Sequence, residues 1–104
     1  MKEILIPSGS TLATFVYEKS SDLNGYEEMD KLTINEVKKI DGFLGSELFG
    51  DGKKNVFISY WKDKNSIEKW KNNTLHKKAK AKGKKWYKNY KMMFSILLND
   101  YYIN

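Results

Sequence analysis

Cysteine and arginine are both absent from this chain, and each absence excludes a kind of site. Without cysteine the protein has neither a disulfide framework nor a thiolate metal site. All nineteen basic residues are lysine, so the planar guanidinium that recognises phosphates and bases in a two-point manner is missing. The single histidine, His76, leaves mainly carboxylates as metal ligands, and Glu27, Glu28 and Asp30 fit an exposed first helical turn better. We therefore predict no metal site.

Long hydrophobic runs are also missing. The longest purely aliphatic run is 96–98, far shorter than a membrane span. Near the start, residues 4–6 are apolar but Pro7 follows, which is too short for the core of a signal peptide. The sequence therefore predicts a cytoplasmic protein without a membrane partner, and its length predicts one domain over residues 1–104.

Positive charge is concentrated in one segment. Residues 77–91 contain eight lysines and no acid, whereas the remaining chain has eleven lysines and thirteen acids. Such a patch attracts polyanions without specificity, although a solvent-exposed helix face is the plainer interpretation. Because arginine is absent and no strand alternates aromatic residues with lysine, nucleic acid is not an expected partner.

The hydrophobic pattern predicts four strands and three helical segments. Residues from Thr11 onward are β-branched and aromatic, with Leu12, Thr14 and Val16 on one face and Ala13, Phe15 and Tyr17 on the other. A helix is expected from about Leu23 to Ile40, begun by the side chains of residues 20–22 and ended by Gly42. Because Gly25 weakens the first turn, a start nearer Tyr26 is the alternative. Further strands are predicted at Phe43–Phe49 and Asn55–Lys62, joined by a turn at residues 50–53.

The second half continues with two short helices and a strand. The first helix begins after Asp63 and carries Ile67 and Trp70 on one face, and residues 72–74 break it. The second begins near Leu75 and is interrupted or ended at Gly83. The last strand extends from residue 87 or 88 to Tyr101, with alternating large residues on one face, namely Tyr90, Met92, Phe94, Ile96 and Leu98.

This order of elements, β-α-β-β-α-β, predicts an α+β protein with a ferredoxin-like fold and a four-stranded antiparallel sheet. The helices cover one face of the sheet. The other face is apolar too, and the chain has no further element to cover it. We therefore predict a homodimer.

Several short segments, taken in order, resemble the antibiotic biosynthesis monooxygenases, a family of dimeric α+β barrels. The matching segments span a core of residues 11–101, and they are Asp41-Gly42-Phe43-Leu44-Gly45, Ser59-Tyr60-Trp61, Ile67-Glu68-Lys69-Trp70, Leu75-His76, Gly83-Lys84-Lys85-Trp86-Tyr87-Lys88-Asn89-Tyr90 and Asn99-Asp100-Tyr101. The resemblance implies a homodimer whose two sheets close into a barrel, with a pocket between sheet and helices in each subunit. Some members of the family oxidise phenolic polyketides with dioxygen and no cofactor, and others bind and open haem.

The chain departs from the haem-degrading branch at its ligand positions. Those members resemble one another in an asparagine on the first strand and a haem-ligating histidine ten residues after the helix tryptophan. Here the first strand has no asparagine, and Lys80 lies ten residues after Trp70. Lys91 also stands where an arginine is usual in the family. We therefore expect no cofactor, with haem binding weak or absent.

The resemblance and the residue types together predict seven site residues. Trp70 would stack on a planar aromatic substrate, with packing in the core as the alternative. His76 would take a phenolic proton because its ordinary pKa lies near neutrality, with a surface or helix-capping role as the alternative. Five aromatic residues are predicted to line the substrate pocket, with core or dimer packing as the alternative for each, and these are Tyr17, Tyr60, Trp61, Trp86 and Tyr90.

The function predicted from the sequence is a cofactor-independent monooxygenase that oxidises a small planar phenol or related aromatic compound with dioxygen. Two alternatives remain open at this point. One is a haem-binding or haem-degrading relative. The other is a non-catalytic dimeric module that binds a small molecule or a polyanion through lysines 77–91.

Overall fold

A computed structural model describes residues 6–103 and consists of one four-stranded sheet with four helical segments. The strands are β1 (Thr11–Lys19), β2 (Phe43–Gly50), β3 (Lys54–Trp61) and β4 (Tyr87–Ile96). The helices are α1 (Tyr26–Val37), α2 (Lys64–Lys71), α3 (Thr74–Ala81) and α4 (Gly83–Trp86). The strands lie in the order β2-β3-β1-β4, and every neighbouring pair is antiparallel. The predicted ferredoxin-like α+β fold is confirmed, with the second helix divided into three segments.

The two ends of the predicted domain, residues 1–5 and residue 104, lie outside the described residues. Within residues 6–103, none of the helices combines the length and the apolar character needed to cross a membrane.

The sheet has a face covered by helices and an open face. On the covered face, Ala13 of β1 and Trp61 of β3 pack with Val37 of α1 and Ile67 of α2, and all four are buried. The strand register places the intervening residues on the opposite side, because successive side chains of a strand alternate between faces. We define the open face by the partly or largely exposed residues of that side, which include Leu12, Thr14, Val16, Glu47, Phe49, Val56, Ile58, Tyr60, Lys91, Met93 and Ser95.

Trp61 is the centre of the core. Its side chain is fully buried, and the ring of Phe43 meets it edge to face at 5.2 Å between centroids. The indole Nε1 donates a hydrogen bond to Ser59 Oγ at 2.9 Å, so the one polar group of this large ring is satisfied inside the core. The residue therefore contributes its whole apolar surface to stability without the cost of an unpaired donor.

The start of α2 is fixed by the cap predicted from the sequence. Asp63 Oδ1 accepts hydrogen bonds from both Ser66 N and Ser66 Oγ, each at 2.8 Å. These bonds satisfy a free first-turn N–H and lower the pKa of Asp63, because they stabilise the carboxylate. Ser66 also packs against Gly42, which has φ 93° and where an added Cβ would collide with the serine side chain. Gly42 thus provides the left-handed conformation that was predicted and the space for the α2 cap.

Of the two predicted starts of α1, the later one at Tyr26 is confirmed, and the predicted cap is wrong. Residues 20–22 do not cap it; the helix begins at Tyr26 after Gly25, which has φ 82° and provides no side-chain cap. Ser20 Oγ instead donates to the carbonyl oxygen of Lys85 at 2.6 Å, which joins the end of β1 to α4. α1 also ends at Val37 rather than at Ile40. Ser20 Oγ also accepts a hydrogen bond from Asp22 N at 3.2 Å, so it fixes the turn before α1 without capping the helix.

The predicted end of β4 is wrong as well. The strand ends at Ile96, not at Tyr101, and Leu98 is 89% exposed instead of extending the apolar face. Leu97 still exchanges backbone hydrogen bonds with Gly9 and Ser10, at 2.8 and 2.9 Å. The ladder then stops because the neighbouring chain reverses direction in a turn at residues 8–9, preceded by Pro7, which has no N–H to donate.

Candidate functional site

The structure stacks Trp70 on His76. Trp70 lies near the end of α2 and His76 in the first turn of α3, and the two rings pack with centroids 4.6 Å apart and an angle of 25° between their planes. Asn73 produces this arrangement by capping α3, because its Oδ1 accepts hydrogen bonds from Leu75 N and His76 N at 2.9 and 3.1 Å. The first two site residues predicted from the sequence are therefore in direct contact.

His76 is held in its neutral form. Burial lowers its pKa, the Trp70 backbone acts in the opposite direction, and the ammonium group of Lys80, one helical turn away, lowers the pKa further. Its Nδ1 is buried and has no hydrogen-bond partner in the part of the chain that the structure describes. A neutral imidazole carries one nitrogen that accepts a proton. His76 therefore combines the protonation state of a general base with a nitrogen that no other group occupies.

Trp61 and Trp86 are packed into the protein rather than placed at the Trp70–His76 stack. Trp61 forms the centre of the core described above. Trp86 is 4% exposed, meets the Tyr26 ring edge to face at 5.4 Å, and donates from Nε1 to the carbonyl oxygen of Asn24 at 3.0 Å. Both indoles therefore stabilise the arrangement of helices on the sheet.

Tyr60 lies on the open face, on the other side of the sheet from the stack. Its hydroxyl donates to Glu47 Oε1 on the neighbouring strand β2, at 2.8 Å. A site that used Tyr60 would have to lie on that face, so Tyr60 does not join the Trp70–His76 pair.

Tyr17 and Tyr90 belong to a separate aromatic cluster on the covered face. Tyr87 is at its centre, with centroid distances of 5.1 Å to Tyr17, 5.9 Å to Tyr90 and 6.1 Å to Tyr26. Phe15 completes the cluster, stacked on Tyr17 at 4.8 Å. Sequence reasoning did not group Phe15, Tyr26 and Tyr87 with the site, although the aromatic residues two apart on β1 were a visible signal.

The tyrosines of this cluster are strongly shifted toward the neutral form. Burial raises the pKa of Tyr87 to about 12 and raises those of Tyr17 and Tyr26 as well. The hydroxyl groups also act on one another, since Tyr26 adds to the rise in the pKa of Tyr17 and Tyr87 adds to that of Tyr26. Burial also raises the pKa of the nearby Asp30 carboxyl, while Lys19 opposes that shift. The cluster consequently holds its protons well above neutral pH.

The lysine-rich segment 77–91 is exposed at all eight lysines. The ion pairs found within residues 6–103 involve other lysines, Lys39 with Glu36 and Lys71 with Glu68. The interpretation as a solvent-exposed face agrees with this exposure.

Haem does not fit the residues present. The one histidine of the chain, His76, lies six residues after Trp70 and not ten, and its ring is stacked on Trp70. Lys80, at the position of the haem ligand in the related branch, is exposed on α3. Among residues 6–103 there is also no group of three or more histidine, aspartate or glutamate side chains placed to hold a metal ion.

Comparison with known proteins identifies similar sequences and folds. An uncharacterized protein of Bacillus subtilis (strain 168), YqjZ, is 35% identical over 75 residues, which cover 69% of this chain and 65% of that protein. The chain therefore spans less than two thirds of the length of this relative. No family model matches the sequence.

The fold has well-characterised counterparts. SnoaB of Streptomyces nogalater, a cofactor-independent oxygenase, superposes with a TM-score of 0.77 at 9% identity, over 89% of this chain and 97% of SnoaB. A candidate antibiotic biosynthesis monooxygenase of Nitrosomonas europaea gives a TM-score of 0.75 at 10% identity, over 91% of this chain and 96% of that one. A conserved protein of Methanosarcina mazei gives 0.76 at 12% identity, over 86% and 93%. The chain thus has the fold of the antibiotic biosynthesis monooxygenases, as its sequence predicted.

Proposed function

We propose that this protein is a cofactor-independent monooxygenase that oxidises a small planar phenol with dioxygen. One observation carries the proposal: a neutral histidine with a buried, unpartnered Nδ1 stacks on the indole of Trp70. The likeness of fold to SnoaB, itself a cofactor-independent oxygenase, supports the same chemistry.

Substrate binding would use the outer side of this stack. Trp70 and His76 are each only partly buried, so a planar ring can pack beside them. An indole offers a large flat surface and favours offset stacking with another aromatic ring. The substrate class is therefore a flat aromatic compound rather than an aliphatic one.

The demanding step that the site assists is removal of the phenolic proton. Because His76 Nδ1 is buried in the structure, the imidazole has to turn toward the substrate hydroxyl before its lone pair accepts this proton. The ammonium group of Lys80 then stabilises the phenolate that results. General-base assistance of this kind contributes about 10²–10⁴-fold in rate. The phenolate is far easier to oxidise than the phenol, so it transfers one electron to dioxygen.

The remaining steps balance without a cofactor. The phenoxyl radical and superoxide combine at a ring carbon that bears hydrogen. The peroxide anion that results takes the proton held by His76 and becomes a hydroperoxide. Loss of water from this group breaks the O–O bond and the C–H bond and leaves a carbonyl. One phenol and one dioxygen thus give one quinone and one water.

The proposed enzyme is a homodimer. The open face presents Leu12, Val16 and Ile58 in a partly exposed state, beside the more exposed Phe49 and Met93. A second copy offers an identical apolar surface and buries both at once in a two-fold arrangement.

The proposal is tested by oxygen uptake with a panel of phenols, comparing wild type with His76→Gln and with Lys77→Met as the control on the same helix. We expect His76→Gln to lower kcat by about 10²-fold or more and Lys77→Met to leave it unchanged. Nitrophenols that are already ionised at neutral pH should be oxidised equally by wild type and by His76→Gln, because they need no base. Absence of oxygen uptake with every phenol, or full activity of His76→Gln on a non-acidic phenol, would refute the proposal.

A further inference from the structure

A cleft of about 240 Å³ lies between α2 and the strands β1 and β4. Three apolar side chains form its wall, Ile67 of α2 with Phe94 and Ile96 of β4. Three charged side chains of α2 surround it, and these are Lys64, Glu68 and Lys71. The cleft therefore has an apolar interior and a charged rim.

The cleft is separate from the Trp70–His76 stack. Its four α2 residues, 64, 67, 68 and 71, recur at spacings of three and four, which places them on one side of the helix. Trp70 is not among them; it packs against the core cluster that contains Ile67 and stacks on His76. Ile67 therefore lies between the two sites, and the charged residues of the cleft lie on the side of α2 away from Trp70.

The apolar wall of the cleft is not covered within the chain. Phe94 is 50% exposed and Ile96 is 67% exposed, although both lie on the face of the sheet that the helices cover elsewhere. Burial of apolar area is favourable, so these side chains gain from any flat apolar group that enters beside them.

The rim places a cation directly at this wall. Lys71 Nζ lies 4.2 Å from the centroid of the Phe94 ring and 3.5 Å from Glu68 Oε1. Lys64 adds a second ammonium group, so the rim carries two positive charges and one negative charge. An anion is therefore the complementary charge for a ligand in this cleft.

We propose that the α2–β4 cleft binds a small aromatic carboxylate. The ring packs against Ile67, Phe94 and Ile96, and the carboxylate pairs with Lys71, with Lys64 adding to the positive field. The volume is below the range of roughly 300–1,000 Å³ that is usual for drug-sized ligands, which limits the occupant to one or two rings. This inference does not depend on the proposed oxidation.

The experiment measures binding of benzoate and of benzyl alcohol by calorimetry and follows methyl NMR signals of Ile67 and Ile96. We expect benzoate to bind once per chain, to shift both signals, and to bind at least about tenfold more tightly than the neutral alcohol, because a charge-assisted contact is lost in the latter.

Two variants and one matched control complete the test. Lys71→Met keeps the alkyl chain and removes the charge, and it should weaken benzoate binding by about tenfold. Ile96→Glu, which places a like charge at the wall, should abolish binding. Lys39→Met is the control, because Lys39 forms the same i,i+3 pair with Glu36, also at 3.5 Å, away from the cleft.

Two results would overturn the inference. One is equal binding of benzoate and benzyl alcohol, and the other is unchanged benzoate affinity in Lys71→Met. Benzoate binding that is lost in His76→Gln would overturn it too, by moving the ligand to the Trp70–His76 stack. Failure of the oxidation assay has no bearing on these outcomes, so the two proposals fail separately.

Discussion

The two faces of the sheet have similar sequences but differ in burial. On β1, Ala13 and Tyr17 are each 5% exposed under the helices, while Leu12 and Val16 between them stay partly exposed on the open face. Apolar residues occupy both sides of the strand, yet within residues 6–103 the helices cover only one of them. The difference teaches that the alternation of apolar residues does not by itself decide which face of a sheet is covered.

The covered face itself is uneven. Its interior at Trp61 is closed, but toward β4 it ends in Phe94 and Ile96, which remain half exposed or more. This unevenness produces the α2–β4 cleft, whereas the open face offers a flat surface for a second copy.

Removing the centre of the covered face should have the largest effect. We expect Trp61→Ala to lower the free energy of unfolding by about 3–5 kcal/mol, because it removes a fully buried ring and leaves a cavity. The measurement is urea denaturation at equal protein concentration. Tyr102→Ala is the control, since that ring is largely exposed, and it should change stability by no more than about 0.5 kcal/mol.

Two neighbouring methionines, one on each face of the sheet, test whether the open face is an interface. Met93 lies on the open face and Met92 on the covered one, with nearly equal exposures of 44% and 45%. By light scattering we expect the wild type to have about twice the chain mass of 12.2 kDa. Met93→Lys should reduce this to a monomer, because it buries a charge in the proposed interface, while Met92→Lys should leave the dimer intact. A monomeric wild type would contradict the homodimer.

Substitution of Gly42 tests how much its close contact with α2 contributes to stability. Gly42 and Gly52 have nearly the same φ, 93° and 91°, but only at Gly42 would a Cβ collide with Ser66. We expect Gly52→Ala to cost about 1–2 kcal/mol for the left-handed conformation alone. Gly42→Ala should cost more, since it also disturbs the cap of α2. Equal losses in thermal or urea unfolding would show that the contact with Ser66 relaxes freely.

The tyrosine cluster should have the smallest effect on stability at neutral pH, and its contribution becomes visible only in alkali. The folded protein holds the pKa of Tyr87 at about 12, above the ordinary value of 10.0. Above pH 10 the unfolded chain therefore releases protons that the folded chain keeps, so stability should fall as the pH rises from 10 toward 12. Urea denaturation across this range checks the slope. Tyr26→Phe, which removes the central hydroxyl group, should reduce the slope, and an identical slope would contradict the assigned linkage.

Local sequence signals predicted the elements well where the stabilising partner lies within a few residues. Asp63 was expected to begin α2 and does so through Ser66. The period-two pattern of β1 and β3 was expected to form strands and does so within a residue of the predicted bounds. Residues 20–22 were a poorer guide, since Ser20 bonds both to the nearby Asp22 and to Lys85, sixty-five positions away, and caps no helix.

For the candidate site too, the sequence determined some features and the tertiary structure decided the others. The sequence alone determined the residue types, the absence of cysteine and arginine, and the choice of Trp70 and His76. Only the tertiary structure decided that these two rings stack, that Trp61 fills the core, that Tyr60 lies on the open face, and that Tyr17 and Tyr90 join a separate cluster. The physical reason is that alternation in a strand assigns residues to a face, but what covers each face depends on helices that are distant in sequence.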